Sequence, residues 1–281
     1  MKLLRYGPLG AEKPGLMHED GTIRDLSGVV PDIGGAVLSE AGLARIRAVQ
    51  ADTLPIVPAQ TRLGACVAGT GKLICIGLNY ADHAAEAGMD VPPEPVIFMK
   101  ATSAICGPDD PILLPRGSQK TDWEVELAII IGTKAKYVTP EDAMGYVAGY
   151  AVANDVSERA FQTERAGQWT KGKSCDTFGP LGPWLVTRDE VADPQALGMW
   201  LTVNGETMQN GSTRTMVYGV AHVVSYLSQF MTLHPGDVIS TGTPPGVGMG
   251  MKPPRYLAAG DVVALGIEGL GQQCQQVIAD D

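Results

Sequence analysis

The chain has 281 residues, of which 44% are hydrophobic and 19% are charged, and its formal net charge at pH 7 is −10. This composition is typical of a folded protein with a full hydrophobic core, and it excludes a largely disordered chain. The negative charge and the lack of a run rich in Lys and Arg argue against binding to nucleic acids or anionic membranes.

Targeting signals are weak in this sequence. No stretch reaches the ~18 consecutive apolar residues that a transmembrane helix needs, and MKLLRYGPLG lacks the apolar core of a secretory signal peptide. The five cysteines are odd in number and widely spaced, which favours free thiols over a disulfide framework. We therefore expect a cytoplasmic protein.

Residues 1–68 are predicted to form a small N-terminal domain. Short strands are expected on both sides of a turn at Asp20 and Gly21, followed by a helix for which Ser39 is a suitable N-cap. Residues 54–58 contain two prolines and resemble a linker. The second, larger domain is therefore expected to span residues 69–281.

This larger domain is predicted to alternate strands with loops rich in Gly and Pro. An Asn-Gly pair at 204–205 indicates a hairpin. Strands are expected over 72–79, 96–100, 123–132, 145–155 and 237–242 and in two final segments, and helices over 80–88, 157–165 and 220–231. The predicted fold class is therefore α+β and strand-dominated.

Two carboxylates interrupt the most apolar predicted strand. Glu124 and Glu126 are two residues apart, so they share one face of that strand, where they would repel each other unless a cation lies between them. Asp155 ends a second apolar strand and could complete a magnesium site made of oxygen ligands. The alternatives are a solvated face for the two glutamates and a helix N-cap role for Asp155.

His83 and Glu86 form a second candidate pair. At positions i and i+3 of a predicted helix they share one face, and a His held by a carboxylate can act as a general base near neutral pH. The alternative is an ordinary solvent-exposed helix.

Residues 167–174 match the string G-x-x-x-x-G-K-[ST] of a phosphate-binding loop. That loop needs a buried strand before it and a helix after it, so that backbone amides meet the phosphates. Here a polar, helical segment precedes it and CDTFGPLGP follows it. We therefore reject an NTPase, although Lys173 remains a candidate cation for an anionic substrate.

Over about residues 70–280 the chain resembles the fumarylacetoacetate hydrolase family. The resemblance rests on six motifs in the family's order: GLNYADHAAEAG, PVIFMKATSAICGPDDPI, DWEVELAIIIG, YAVANDVSERAFQ, GKSCDTFGPLGPWLV and PGDVISTGTPPGVG. One departure is Ala101, where many relatives have Pro. The resemblance implies a mixed β-sandwich roll of several sheet layers.

The resemblance also implies roles for individual residues. Divalent-metal ligands, for Mg²⁺ or Mn²⁺, would be Glu124, Glu126 and Asp155. The catalytic dyad would be His83 and Glu86, on a lid-like segment. The substrate oxygens would be contacted by Gln162 and Lys173, its carboxylate by Thr243, and Lys173 would also help catalysis.

The reaction that the resemblance implies is hydrolysis of a C–C bond in a 2,4-diketo acid, giving pyruvate and a carboxylic acid. Within the family the chain looks most like hydrolases of 2,4-diketo-3-deoxy sugar acids such as the L-rhamnonate and L-fuconate derivatives. Oxaloacetate decarboxylases, isomerases of unsaturated diacids and ureidoglycolate-lyase-type members are alternatives, as is a non-catalytic binding protein. Family members are usually homodimers, so we expect a homodimer or a higher homo-oligomer.

Overall fold

The computed structural model describes residues 1–82 and 90–280 and shows a strand-dominated α+β fold, as predicted. In the described part of the chain the strands are β1 (Lys2–Tyr6), β2 (Lys13–Met17), β3 (Ile23–Asp25), β4 (Leu63–Gly64), β5 (Leu73–Gly77), β6 (Val96–Lys100), β7 (Ile105–Cys106), β8 (Ile112–Leu114), β9 (Thr121–Asp122), β10 (Val125–Ile131), β11 (Val147–Asn154), β12 (Ser157–Glu158), β13 (Gly179–Thr187), β14 (Gly198–Val203), β15 (Glu206–Ser212), β16 (Val238–Ser240), β17 (Val262–Ile267) and β18 (Gly271–Ala279).

Helices are few and short in the same residues. The α-helices are α1 (Glu40–Arg47), α2 (Arg159–Thr163), α3 (Thr170–Lys173) and α4 (Val220–Phe230). Single 3₁₀ turns lie at Gly35–Leu38, Ala51–Thr53, Thr102–Ala104, Ala143–Tyr146, Arg188–Glu190, Thr213–Thr215 and Gly248–Gly250. No helix among the described residues is long and apolar enough to cross a membrane.

The architecture is built on one large sheet. Its strand order is β3-β2-β1-β13-β11-β10-β16-β5-β6, with β4 on β1 and β7 on β13. A second sheet, β15-β14-β17-β18-β8, packs on one face of the large sheet, and β12 and β9 form a separate two-stranded ribbon. Helix α4 adds Val223, Val224 and Leu227 to the hydrophobic cluster between the two sheets.

Strand β10 lies in the middle of the large sheet and is buried on both faces. Because side chains alternate along a strand, Leu127 and Ile129 face the cluster against the second sheet, whereas Ala128 and Ile130 face a separate cluster on the other side. Glu126 lies two residues before Ala128, so its side chain is on the same face of β10 as Ala128 and Ile130. The burial pattern explains why the predicted strand is an almost unbroken apolar run.

The N-terminal residues extend this same sheet. Strand β1 pairs antiparallel with β13, with Leu3 opposite Leu185, and helix α1 buries Leu43 and Ile46 in the second cluster. Ser39 caps α1, since its side chain accepts a hydrogen bond from the Gly42 amide at 3.2 Å, as predicted. The domain boundary at residue 68 falls between β4 and β5 and stays a prediction.

Most elements lie close to their predicted positions. Strands β5, β6, β10, β11 and β16, the Asn204-Gly205 hairpin between β14 and β15, and helix α4 correspond to the predicted segments. The helix predicted over 157–165 is shorter, because Ser157 and Glu158 first pair with β9 and only Arg159–Thr163 are helical. The helix predicted over 80–88 lies mostly outside the described residues.

The helix-cap alternative for Asp155 is wrong. The N-cap of α2 is Glu158, whose side chain accepts a hydrogen bond from the Ala160 amide at 2.9 Å. Asp155 lies two residues before the ribbon strand β12 and points elsewhere, toward buried cations. Sequence alone could not separate these roles, because a carboxylate ahead of a helix fits both.

Candidate metal centre and active site

Three carboxylates converge where β10 begins and β11 ends. The two strands are antiparallel neighbours with Val125 opposite Asn154, and the Asp155 amide donates to the Glu124 carbonyl at 2.9 Å. One oxygen from each of Glu124, Glu126 and Asp155 lies within 4.8 Å of the others, and all three residues are buried. The structure thus brings together the three residues that the sequence analysis singled out, and the solvated-face alternative for the glutamates does not hold.

Three buried cations surround these carboxylates. The Lys173 ammonium lies 2.7 Å from Glu124 Oε2 and 2.6 Å from Asp155 Oδ2. Arg159 Nη2 lies 2.7 Å from Glu124 Oε1, and Lys100 Nζ donates to Asp155 Oδ1 and, at 2.9 Å, to a backbone carbonyl. Glu124 and Asp155 are therefore neutralised by side chains of the chain itself.

Glu126 differs from the other two carboxylates in its partners. Its Oε2 accepts from Ser240 Oγ at 2.5 Å and from the Gly242 amide at 2.9 Å, both neutral donors. Burial, together with the charges of Asp155 and Glu124, raises the pKa of Glu126 to about 8. A carboxyl group with that pKa is mostly protonated at neutral pH, so the cluster relieves its repulsion by holding a proton that a bound cation would displace.

The ammonium of Lys173 is held in its charged form. Burial alone would lower its pKa, but the charges of Asp155 and Glu124 outweigh burial and raise the pKa above its ordinary value. Lys173 can therefore donate hydrogen bonds and stabilise negative charge, but it is a poor base at neutral pH.

These residues fit a hard divalent cation. Their donor atoms are carboxylate oxygens, which Mg²⁺ and Mn²⁺ prefer. With Asp122, which pairs with Arg159 at 2.8 Å, four carboxyl groups face three cations, so the fully ionised cluster has a net charge of −1. A divalent ion that displaces the Glu126 proton would change this charge to +1. A site of that charge suits an anionic ligand.

A cavity of about 280 Å³ opens over the three carboxylates. Its lining combines the charged residues with four apolar side chains, and it comprises Gly77, Leu78, Phe98, Glu124, Glu126, Asp155, Arg159, Gln162, Thr163, Trp169, Lys173, Gly242, Thr243 and Met249. The volume suits a small organic acid.

Gln162 and Thr243 both reach this cavity. Gln162 Oε1 accepts from Arg159 Nη1 at 3.2 Å, which fixes the side chain near the carboxylates. The hydroxyl of Thr243 donates to the Val125 carbonyl at 2.9 Å and accepts from Gln209 Nε2 at 2.8 Å. In this conformation its proton is engaged by the protein.

Asp122 connects the Gly-rich loop to the charged floor. Its carboxylate accepts from the amides of Gly248 at 2.7 Å and Met249 at 2.9 Å, and it also pairs with Arg159. The loop and the arginine are therefore held by one buried side chain.

The predicted dyad residues His83 and Glu86 lie outside the described residues, so their role stays a prediction. The phosphate-loop string lacks the strand that such a loop needs, since helix α2 precedes it and α3 lies within it. Lys173, the lysine of that string, instead faces the carboxylates.

Lys100 and Arg159 are members of the cluster that were not predicted from the sequence. Arg159 is only 4% exposed although its neighbours make a polar segment, and Lys100 ends the apolar strand β6 at 3% exposure. Lys100 had a sequence signal, since a lysine that closes an apolar strand needs a partner because an unpaired buried charge is very costly. Arg159 had none, because it lies in a polar segment.

The chain is similar in sequence to a known protein family. The family model described as fumarylacetoacetate (FAA) hydrolase C-terminal matches residues 72–278. A protein of Burkholderia multivorans, provisionally named a hydrolase, is 66% identical over 276 residues, and the match covers 98% of each chain.

Several solved structures match the whole chain. The fumarylacetoacetate hydrolase of Exiguobacterium antarcticum is 40% identical with a TM-score of 0.86, and each chain is covered completely. The maleylpyruvate hydrolase of Sphingobium sp. SYK-6, solved in complex with manganese(II) and pyruvate, is 31% identical with a TM-score of 0.83, again with complete coverage. The chain belongs to the fumarylacetoacetate hydrolase family.

Proposed function

We propose that the protein is a divalent-metal-dependent hydrolase that cleaves a C–C bond of a 2,4-diketo acid to give pyruvate and a carboxylic acid. The observation that carries this proposal is the buried triad of Glu124, Glu126 and Asp155 at the floor of the cavity, next to the charged Lys173. The triad supports a cation, and the cation and Lys173 together support an acidic substrate.

The three carboxylates are the proposed ligands of Mg²⁺ or Mn²⁺. Bound there, the divalent ion would supply a Lewis acid for the carboxylate and 2-oxo oxygens of the substrate. Ser240 and Gly242 orient Glu126 through its Oε2, and Lys100 orients Asp155, so the ligand geometry is fixed before the ion arrives.

Lys173, Arg159 and Gln162 are proposed to bind substrate oxygens on which negative charge develops. Lys173 and Arg159 are held charged by neighbouring carboxylates, so these donors need no reorganisation during the reaction. Thr243 is proposed to meet the carboxylate end of the substrate, by exchanging its bond to the Val125 carbonyl for one to the substrate.

His83, held by Glu86, is the proposed general base. It takes a proton from water, and the hydroxide forms a bond to the C4 carbonyl carbon. The C3–C4 bond then breaks with its electron pair on C3, which takes the proton held by His83 to give pyruvate. The other fragment leaves as a carboxylic acid, so the net change is the addition of one water, and the acid then releases a proton to solvent.

The proposal is tested by following the enol absorbance of a 2,4-diketo acid with Mg²⁺ and with EDTA. We expect loss of absorbance only with the metal, together with stoichiometric pyruvate. A stable signal with the metal present rejects hydrolysis of that substrate, and oxaloacetate decarboxylation is then assayed. Equal loss in EDTA contradicts the role of the triad, and absorbance change without pyruvate indicates an isomerase.

The acyl fragment and the assembly state belong to the same proposal. The sequence resemblance favours a 2,4-diketo-3-deoxy sugar acid, such as 2,4-didehydro-3-deoxy-L-rhamnonate, as the substrate. It also favours a homodimer, which light scattering after size-exclusion chromatography tests. A monomer with full activity would contradict the dimer.

A further inference from the structure

The cavity has an apolar side that the charged floor does not explain. Leu78, Phe98, Trp169 and Met249 line it together. The Phe98 ring lies 5.0 Å from the Lys173 ammonium, and the Trp169 ring meets Phe98 edge-on at 5.2 Å between centroids. An aromatic wall therefore begins beside the proposed oxyanion donor.

The position of Trp169 is fixed by a glycine. A Cβ atom on Gly77 would lie 2.7 Å from Cζ3 of Trp169 and 3.7 Å from Cε1 of Phe98. The indole therefore packs directly on the backbone at the end of β5, in space that any side chain at position 77 would fill. Trp169 is therefore held in a defined position by close packing.

Leu78 joins this wall through strained backbone. Its φ of 54° is in the left-handed region that residues other than Gly and Asn seldom adopt. The side chain of the next residue, Asn79, holds the turn. Its Nδ2 donates to the backbone carbonyls of Tyr218 at 3.0 Å and Thr241 at 2.8 Å, and its Oδ1 accepts from the backbone amide of Tyr218 at 2.8 Å. Strain kept in place by three hydrogen bonds is typical of functional sites.

Among the described lining residues, the polar side chains proposed to bind substrate, Arg159, Gln162 and Thr243, are assigned to its diketo-acid end and not to its acyl chain. Thr163 donates to the Arg159 carbonyl at 2.8 Å, Arg159 donates to Asp122, Glu124 and Gln162, and Thr243 donates to a backbone carbonyl. A hydroxyl group on the acyl chain of a substrate would meet carbon atoms of the wall and would lose hydrogen bonds to water.

We infer that the acyl fragment of the substrate is apolar and flat, an aryl or unsaturated group, and that Phe98 and Trp169 select it. This inference rests on the proposed function, since the diketo acid must lie with its carboxylate end at the triad. It disfavours the hydroxylated acyl chain of a sugar acid, although the sequence resemblance favours that substrate.

Binding tests this inference separately from catalysis. The probes are 2-oxo-4-phenylbutanoate and 5-hydroxy-2-oxohexanoate, which carry the chelating end but lack the 4-oxo group and so cannot be cleaved by this reaction. With Mg²⁺ present, calorimetry is expected to give at least ~10-fold tighter binding of the phenyl compound, the range for one or two apolar groups in a pocket. The Trp169→Ala variant is expected to remove most of that preference.

Turnover is measured in the same proteins with 2,4-dioxo-4-phenylbutanoate and 5-hydroxy-2,4-dioxohexanoate. The two acids differ in intrinsic reactivity, but this difference cancels when the ratio of their kcat/KM values is compared between wild type and variant. We expect Trp169→Ala to lower the ratio about tenfold. Phe230→Ala, which removes an exposed aromatic ring on α4 outside the cavity lining, is the matched control and should preserve the ratio.

Gly77→Ala is a second variant in case Trp169→Ala does not fold. It retains the indole but displaces it, so it should also lower the preference for the phenyl compounds. Equal or tighter binding of the hydroxylated acid overturns the inference, as does an unchanged preference in folded Trp169→Ala or the absence of binding by either acid. If the phenyl preference is present but no diketo acid is hydrolysed, the wall is supported and the hydrolase proposal fails.

Discussion

Two clusters of charged side chains in this molecule contain similar groups but shift the pKa of a glutamate in opposite directions. In the N-terminal region, Arg62 pairs with Asp110 at 2.6 Å and with Glu12 at 2.9 Å, while Arg5 pairs with Asp32 at 2.8 Å. Every carboxylate in this cluster has a guanidinium partner. Burial alone would raise the pKa of Glu12, but the two arginines lower it below its ordinary value.

At the cavity floor the same kinds of group leave Glu126 with a pKa raised to about 8. The difference is that Glu126 bonds a hydroxyl and an amide, and its neighbours are other carboxylates. A charge cluster that serves stability gives every carboxylate a cationic partner, whereas one that serves binding leaves a carboxyl group on neutral donors, where a cation can replace its proton. This comparison makes three predictions, in order of decreasing effect.

Glu126→Gln should give the largest loss of function and little loss of stability. The amide keeps the shape of the side chain but removes one proposed ligand charge, so kcat/KM with Mg²⁺ should fall about 1000-fold. In EDTA the melting temperature at neutral pH should not fall, because the amide replaces a carboxyl group that is already mostly protonated and removes the repulsion that develops as the pH rises through about 8. Steady-state kinetics and thermal denaturation measure the two effects.

The matched control is Glu141→Gln, the same chemical change at an exposed position, which should alter neither quantity. A large drop in the melting temperature of Glu126→Gln in EDTA would contradict the comparison. Glu126 would then contribute to stability as Glu12 does.

Lys100→Met should weaken metal binding about 10- to 100-fold. Lys100 orients Asp155 and neutralises part of its charge, so its removal leaves the carboxylate mobile within the cluster. Calorimetry with Mg²⁺ or Mn²⁺ alone reports the effect without any substrate. Lys136→Met, at an exposed position, is the control, and equal metal affinity in both variants would exclude the orienting role.

Arg62→Met should have the smallest effect on activity and a measurable effect on stability. It leaves Asp110 and Glu12 without their main partner in a partly exposed cluster, so the free energy of unfolding in urea should fall by about 1–2 kcal/mol. The value of kcat/KM for a diketo acid should change less than twofold. Arg45→Met is the exposed control, and loss of activity in folded Arg62→Met would show that the two clusters are coupled.

The sequence predicted the part of the site that depends on local periodicity. Glu124 and Glu126 had to share a face because side chains alternate along a strand. Their proximity to Asp155 depends on the pairing of β10 with β11, which is a long-range contact that spacing does not encode. The resemblance to the family, carried by six motifs in order, indicated that Asp155 belongs with the two glutamates, which local periodicity could not.

The buried cations were the main omission, and the reason is physical. Charged residues are mostly exposed, so Arg159 in a polar segment looked like part of a solvated helix. Only the three-dimensional arrangement shows that Asp122 and Glu124 lie on its other side. The wall of Phe98 and Trp169 was missed for a related reason, since two aromatic residues 71 positions apart in the sequence give no local signal.

The Gly-rich loop over residues 242–250 limits the substitutions that this protein can accept. A Cβ on Gly246 would lie 1.9 Å from the Met208 carbonyl oxygen, and one on Gly248 would lie 1.9 Å from that of Arg255. Side chains cannot be introduced there without moving backbone. New substrate preferences, whether evolved or engineered, are therefore expected to arise by substitutions at Leu78, Phe98, Trp169 and Met249, while Gly246 and Gly248 stay unchanged.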